Sequence, residues 1–121
     1  MQQHPVPASA HPDDLARVSE VFKALSEPIR VQLVLLLTAE ERSVMQLVDA
    51  LGQPQSTVSR HLALLRTTDL VKTRREGTSV YYRLADTHVA RLVREAFSHA
   101  QHERLGLPDH PAADPVKGSV R

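Results

Sequence analysis

The fold class expected from this sequence is mostly α with a β-hairpin wing: a winged helix-turn-helix that dimerises through its first and last helices. Three features carry that expectation. Two helix-forming segments meet around Gly52 and Pro54. The hydrophobic period then changes from helical to alternating between Val71 and Arg83. A final amphipathic helical run follows, from Thr87 to Glu103.

Taken in order, a first helix is expected to start near Asp13 or Asp14, since acidic side chains favour a helix N-terminus. Its apolar positions Leu15, Val18, Val21, Phe22 and Leu25 recur at helical spacing. It stops before Pro28, which pushes its predecessor out of the α region and then opens a second helix running to about Thr38. That second helix is apolar nearly all round, from Ile29 to Leu37, which marks it as the buried centre. Ser43 is a natural N-cap for a short third helix through Leu51, ended by Gly52. Pro54 opens a fourth, Gln55 to Thr67, whose inward side is Val58, Leu62 and Leu65. Residues 71–75 and 79–83 read as two strands turning at Glu76-Gly77-Thr78. Asp86 then caps the last helix.

Composition bounds the rest. The chain has 121 residues, enough for one domain with a modest core that a partner surface would complete. Residues 1–12 carry Pro5, Pro7 and Pro12, residues 106–121 carry Gly106, Pro108, Pro111, Pro115 and Gly118, and both read as flexible tails around a domain at 13–105. No cysteine is present, which excludes disulfides, thiolate metal sites and thiol redox chemistry. No apolar run is long enough for a membrane span and no targeting pattern opens the chain, so a cytoplasmic protein is expected. Net charge is only +1, but between Gln55 and Arg83 six basic residues stand against two acidic ones, a distribution that suits a polyanion.

The second helix of a helix-turn-helix enters the major groove by its N-terminal end. Here that end is Gln55-Ser56-Thr57-Val58-Ser59-Arg60-His61. With Val58 inward, the outward set is Gln55, Ser56, Ser59 and Arg60: Gln pairs with adenine, Arg with guanine, and Ser with bases or phosphates. Arg74 and Arg75 at the hairpin tip are placed to reach phosphates or the minor groove. His61 reads equally as a packing residue and as a DNA contact.

A second set of chemistry-bearing residues sits on the last helix: Asp86, His88, His99 and His102. His88 and His99 are about 16 Å apart along a straight helix axis, too far for one ion. Nevertheless His88, Leu92, Glu95, His99 and His102 share one face. Two such helices paired antiparallel bring His88 and Asp86 of one chain opposite His99 and His102 of the other. Each crossing then gathers one carboxylate and three imidazoles, a set that suits tetrahedral zinc, giving two interprotomer sites per dimer. Each residue also has a plain structural role open to it. Asp86 can be only an N-cap, the histidines only favourable charges near a helix C-terminus, and Glu95 a polar residue of the seam.

The runs Ala24-Leu25-Ser26-Glu27-Pro28-Ile29-Arg30, Leu51-Gly52 and Gln55 to Leu62, joined to Asp86-Thr87-His88 and His99-Ala100-Gln101-His102, resemble the ArsR/SmtB family of metal-responsive repressors over roughly residues 13 to 105. The resemblance implies a homodimer that binds a palindromic operator in its metal-free form and releases it on zinc binding. It implies a coupling route from the His99 region to Gln55. It also implies that the thiolate site of other branches is absent, since Ser43 and Met45 stand at the corresponding positions.

A nickel- and cobalt-sensing branch shares both ligand pairs and adds tail histidines, for which His4, His11 and His110 are candidates. Arg104 replaces a further histidine of that branch, which favours zinc. A metal-independent winged-helix regulator is the other alternative. A zinc hydrolase is not supported: no His-Glu-x-x-His motif, phosphate loop or nucleophile with its base is present, and no small organic substrate is implied.

Overall fold

The computed structural model describes residues 9–106. In chain order it contains α1 (Pro12–Ala24), α2 (Pro28–Leu37), β1 (Arg42–Ser43), α3 (Val44–Leu51), α4 (Gln55–Thr67), β2 (Val71–Glu76), β3 (Ser79–Leu84) and α5 (Thr87–Leu105). The three strands form one antiparallel sheet in the order β1-β3-β2. Among the described residues no helix is long and apolar enough to cross a membrane.

The helix ends follow their local chemistry. Pro12 and Pro28 occupy the first turns of α1 and α2, where a missing N–H costs nothing. Ser43 and Gln46 form a reciprocal capping box at α3, and Gly52, at φ 66°, closes that helix in the left-handed region. At the end of α4 the Asp69 amide donates to Arg66 and the Leu70 amide to Leu65, at 3.0 and 2.9 Å. This Schellman closure puts Asp69 at φ 58°, a conformation that Asp tolerates better than most side chains. Asp86 caps α5 by accepting from the Val89 amide at 3.1 Å.

Three boundaries differ from expectation. His11, placed in the N-terminal tail, is the N-cap of α1, its Nδ1 accepting from the Asp13 amide. Gly106, placed in the C-terminal tail, is the left-handed cap of α5 and donates to the His102 carbonyl. The folded body therefore reaches beyond 13–105 at both ends. The strand β1 has no sequence signature, because two residues carry no period and Ser43 reads as a cap. His4, His110 and the rest of residues 1–8 and 107–121 lie outside the described residues.

The core is built around α2 and α4. Leu33, Val34 and Leu37 of α2 meet Leu47 of α3, Val58, Leu62 and Leu65 of α4, and Val89 and Val93 of α5. The second helix is buried on one side only, since Leu35 keeps 36 % of its surface exposed. The first helix contributes Ala24 fully and Val21 and Leu25 in part. Its other apolar residues point outward: Leu15 and Phe22 are each 57 % exposed and Val18 is 49 % exposed. Leu62 has no exposed surface, so Leu62→Ala should lower stability by about 2–5 kcal/mol, measured by urea unfolding at fixed protein concentration.

Candidate nucleic-acid interface and metal-ligand stripe

Burial of Val58, Leu62 and Leu65 sets the rotation of α4. As a consequence Gln55, Ser56, Ser59 and Arg60 are all exposed, as the sequence led us to expect. Pro54 starts the helix without a side-chain cap, and its carbonyl accepts from the amides of Thr57 and Val58. The amides of Gln55 and Ser56 are thus left at an open helix N-terminus, which favours an anionic group. His61 is half-buried and packs inward, its Nδ1 lying 3.0 Å from Nη1 of Arg30.

The hairpin register sorts the wing into two faces. Val71 opposite Leu84, Thr73 opposite Tyr82 and Arg75 opposite Val80 share the face that begins at the core. Lys72 opposite Arg83 and Arg74 opposite Tyr81 share the other. Arg74, expected at a phosphate, is held instead by carboxylates. Its Nε donates to Glu41 and its Nη1 to Glu76, both at 2.7 Å, and its guanidinium lies 4.7 Å from the Tyr81 ring centre. Those two hydrogen bonds, to Glu76 first and then Glu41, raise its already high pKa and keep it charged. Arg75 is exposed and makes no ion pair among the described residues.

Lys72 and Arg83 are exposed cations that sequence reasoning counted in the basic run without naming as contacts. Period-2 alternation gives each strand two faces, and the register that sets Lys72 opposite Arg83 puts both on one of them.

On α5, Val89, Val93 and Phe97 form the inward stripe. Beside it lies the stripe of His88, Leu92, Glu95, His99 and His102, exposed except for His102, which is half-buried. Asp86 and His88 line a cavity of about 240 Å³ together with Arg17, Asp69 and Leu92. His99 stands near the other end, its Nε2 3.7 Å from Glu103. The helix is unbroken between them. Within one chain these four residues therefore fall into two separate pairs, and no group of three or more potential ligands occurs among the described residues. No hydrogen bond joins His99 to Gln55 among those residues.

Residues 27–73, which span α2 to the start of the wing, match the helix-turn-helix family described as "Bacterial regulatory protein, arsR family". The HTH-type transcriptional regulator KmtR of Mycobacterium tuberculosis is 45 % identical over 103 residues, covering 84 % of this chain and 79 % of that protein. The chain belongs to the arsR family. A second relative from the same organism, the HTH-type transcriptional regulator NmtR, is 42 % identical, with 81 % of this chain and 82 % of the relative covered. A solved structure from Mycobacterium bovis, a homodimeric winged helix-turn-helix DNA-binding domain described as a possible ArsR-family regulator, superposes with a TM-score of 0.73. It is 34 % identical and covers 86 % of this chain and 99 % of that one. This arsR-family chain is accordingly a winged helix-turn-helix DNA-binding transcriptional regulator and not an enzyme.

The wing geometry gives its two arginines different surroundings. Arg75→Ala should weaken binding to duplex DNA of any sequence and reduce the salt slope by about one, measured by anisotropy across a salt series. Arg74→Ala should change the slope less, because two carboxylates already compensate its charge. Equal slopes would mean that Arg74 leaves its carboxylates when DNA binds.

Proposed function

We propose that this chain is a metal-responsive transcriptional repressor, a homodimer that holds a palindromic operator when metal-free and releases it when zinc occupies two sites between its protomers. The observation that supports this most is the geometry of α5. One unbroken helix carries Asp86 and His88 near one end and His99 and His102 near the other, along a single stripe. Neither pair completes a site alone, and an antiparallel second copy supplies to each pair what it lacks. Asp86 spends Oδ1 on the Val89 amide, and a carboxylate has lone pairs left for a cation on its second oxygen. One carboxylate with three imidazoles fits a borderline-soft divalent ion.

The dimer reading has independent support. Leu15, Val18 and Phe22 of α1 are exposed, as are Leu92 and Leu105 of α5. Between those helices and α2 runs an apolar groove of about 270 Å³ lined by Phe22, Leu25, Val31, Val93 and Phe97, among others. A second copy related by two-fold symmetry buries this surface and sets two reading helices about one DNA turn apart.

A bound cation supplies a fixed charge and a cross-link between the two last helices. The chain's own residues do the rest. Asp86 and His88 of one protomer and His99 and His102 of its partner are drawn into one arrangement, and we assign the link onward from His99 to Gln55, at the start of α4. Coupling of this kind is typically about 1–3 kcal/mol and is reciprocal, so operator DNA weakens metal binding by the same factor. Work on an operator places the protein with the DNA, in the cytoplasm.

Titration of the metal-free chain with cobalt(II), read by visible absorption, tests this. An intense tetrahedral spectrum saturating at about one ion per chain, displaced by zinc and lost in His99→Ala, is expected. The same variant should bind DNA normally without metal and no longer release it with metal. A weak six-coordinate spectrum that depends on His4, His11 or His110 would move the assignment to nickel or cobalt. Absence of binding would leave a metal-independent regulator.

A further inference from the structure

His61 belongs to the reading helix but serves its inner side. Its Nδ1 lies 3.0 Å from Nη1 of Arg30, on α2. The same guanidinium donates through Nε to the carbonyl of Ala24, the last residue of α1, at 2.6 Å. One arginine thus joins the end of α1 to the middle of α4. A guanidinium has only donors, so His61 has to accept, and an imidazole accepts only when neutral. In this contact the ring carries its proton on Nε2. A second proton would set a donor against a donor.

At its C-cap α4 is also reached from α1 by Arg17, which donates to the Thr68 carbonyl, and along its body the inward side chains are the apolar Val58, Leu62 and Leu65. Apolar contacts decide which face turns inward but have little directional preference. The hydrogen bond to Arg30 is directional, and it lies one residue from the exposed Arg60. We propose that His61 is a positioning residue for operator reading: as a neutral acceptor it straps the reading helix, through Arg30, to the end of α1.

The charged groups around the strap agree with a neutral ring. Arg30 faces His61 from α2 and Glu27 from the cap of that helix, while Arg60 stands beside it on α4. Glu20 and Lys23 of α1 line the neighbouring cavity with Arg30. Burial first, then the charges of Arg30 and Arg60, lower the pKa of His61 below 6.5, against a smaller opposing pull from Glu27. A histidine whose folded pKa is depressed contributes stability that is complete above its unfolded value. That stability is lost as pH falls through the lowered value. The strap should hold at neutral pH and open on acidification.

The test uses the metal-free full chain in chelator, with a duplex selected by the wild-type chain from a random library and a random-sequence duplex as reference. At about pH 7.5, His61→Ala should reduce the preference for the selected duplex about threefold to tenfold, as loss of one hydrogen bond would. Affinity for the random duplex should stay within about twofold. His61→Asn, whose Oδ1 accepts close to the position of Nδ1, should restore the preference. Between about pH 7.5 and 5.5 the wild-type preference should fall and that of His61→Asn should fall less, the difference isolating His61 from the other histidines.

Two results would overturn the proposal. One is a His61→Ala variant with unchanged preference. The other is a wild-type preference that falls no further on acidification than that of His61→Asn. Should His61→Ala fail to fold, the pH profiles of wild type and His61→Asn decide alone.

Discussion

Everything at the DNA-facing side depends on how α4 is seated. Val58, Leu62 and Leu65 have no exposed surface, and they lie against a layer made by Leu33, Val34 and Leu37 of α2 and Leu47 of α3. Close packing of this kind leaves a helix one rotation about its own axis. Once that rotation is taken, Gln55, Ser56, Ser59 and Arg60 have nowhere to point but outward. The buried side of α2 serves both neighbours, since Leu33, Val34 and Leu37 share one core with residues of α4 and α5. The cost of building so small a core is visible in α1, which places little more than Ala24 in it.

The wing follows a different logic, in which charge rather than burial decides. Lys72 stands directly opposite Arg83, an arrangement that is unfavourable in isolation. A phosphate backbone laid across that face offsets the repulsion, so the pair suits a surface meant to be covered by a polyanion. Arg74, on the same face, has been given two carboxylate partners and an aromatic ring. Exposed ion pairs add little stability singly, but these tie the hairpin to Glu41, in the connection before β1. The wing is thereby attached to the body through Arg74.

At the opposite side, α1 and α5 leave apolar surface exposed next to the ligand stripe. In the proposed dimer these two facts are one: the contact that buries Leu15, Val18, Phe22 and Leu92 is also the contact that brings the two ligand pairs together. A sensor arranged this way reads metal through its quaternary structure. The strap from α1 through Arg30 to His61 lies between that surface and the reading helix, and so is placed to carry changes in α1 to α4.

Much of the fold is legible in the sequence. Pro28, Ser43, Gly52, Pro54 and Asp86 act on the backbone within a residue or two of themselves, so four of the five helices begin or end within a residue of where those signals stand. Helical and alternating periods are local as well, which is why the outward set on α4 and the hairpin could be read directly. Local signals failed where structure is too short to have a period, as in β1, or where a tail residue doubles as a cap, as His11 and Gly106 do. What only the tertiary structure decided are the contacts between residues far apart in the chain. Arg74 met Glu41, Arg30 met His61, and Asp86 and His88 shared a cavity with Arg17 and Asp69. Those pairings depend on how the helices and the wing pack in space, and no short stretch of sequence contains that information.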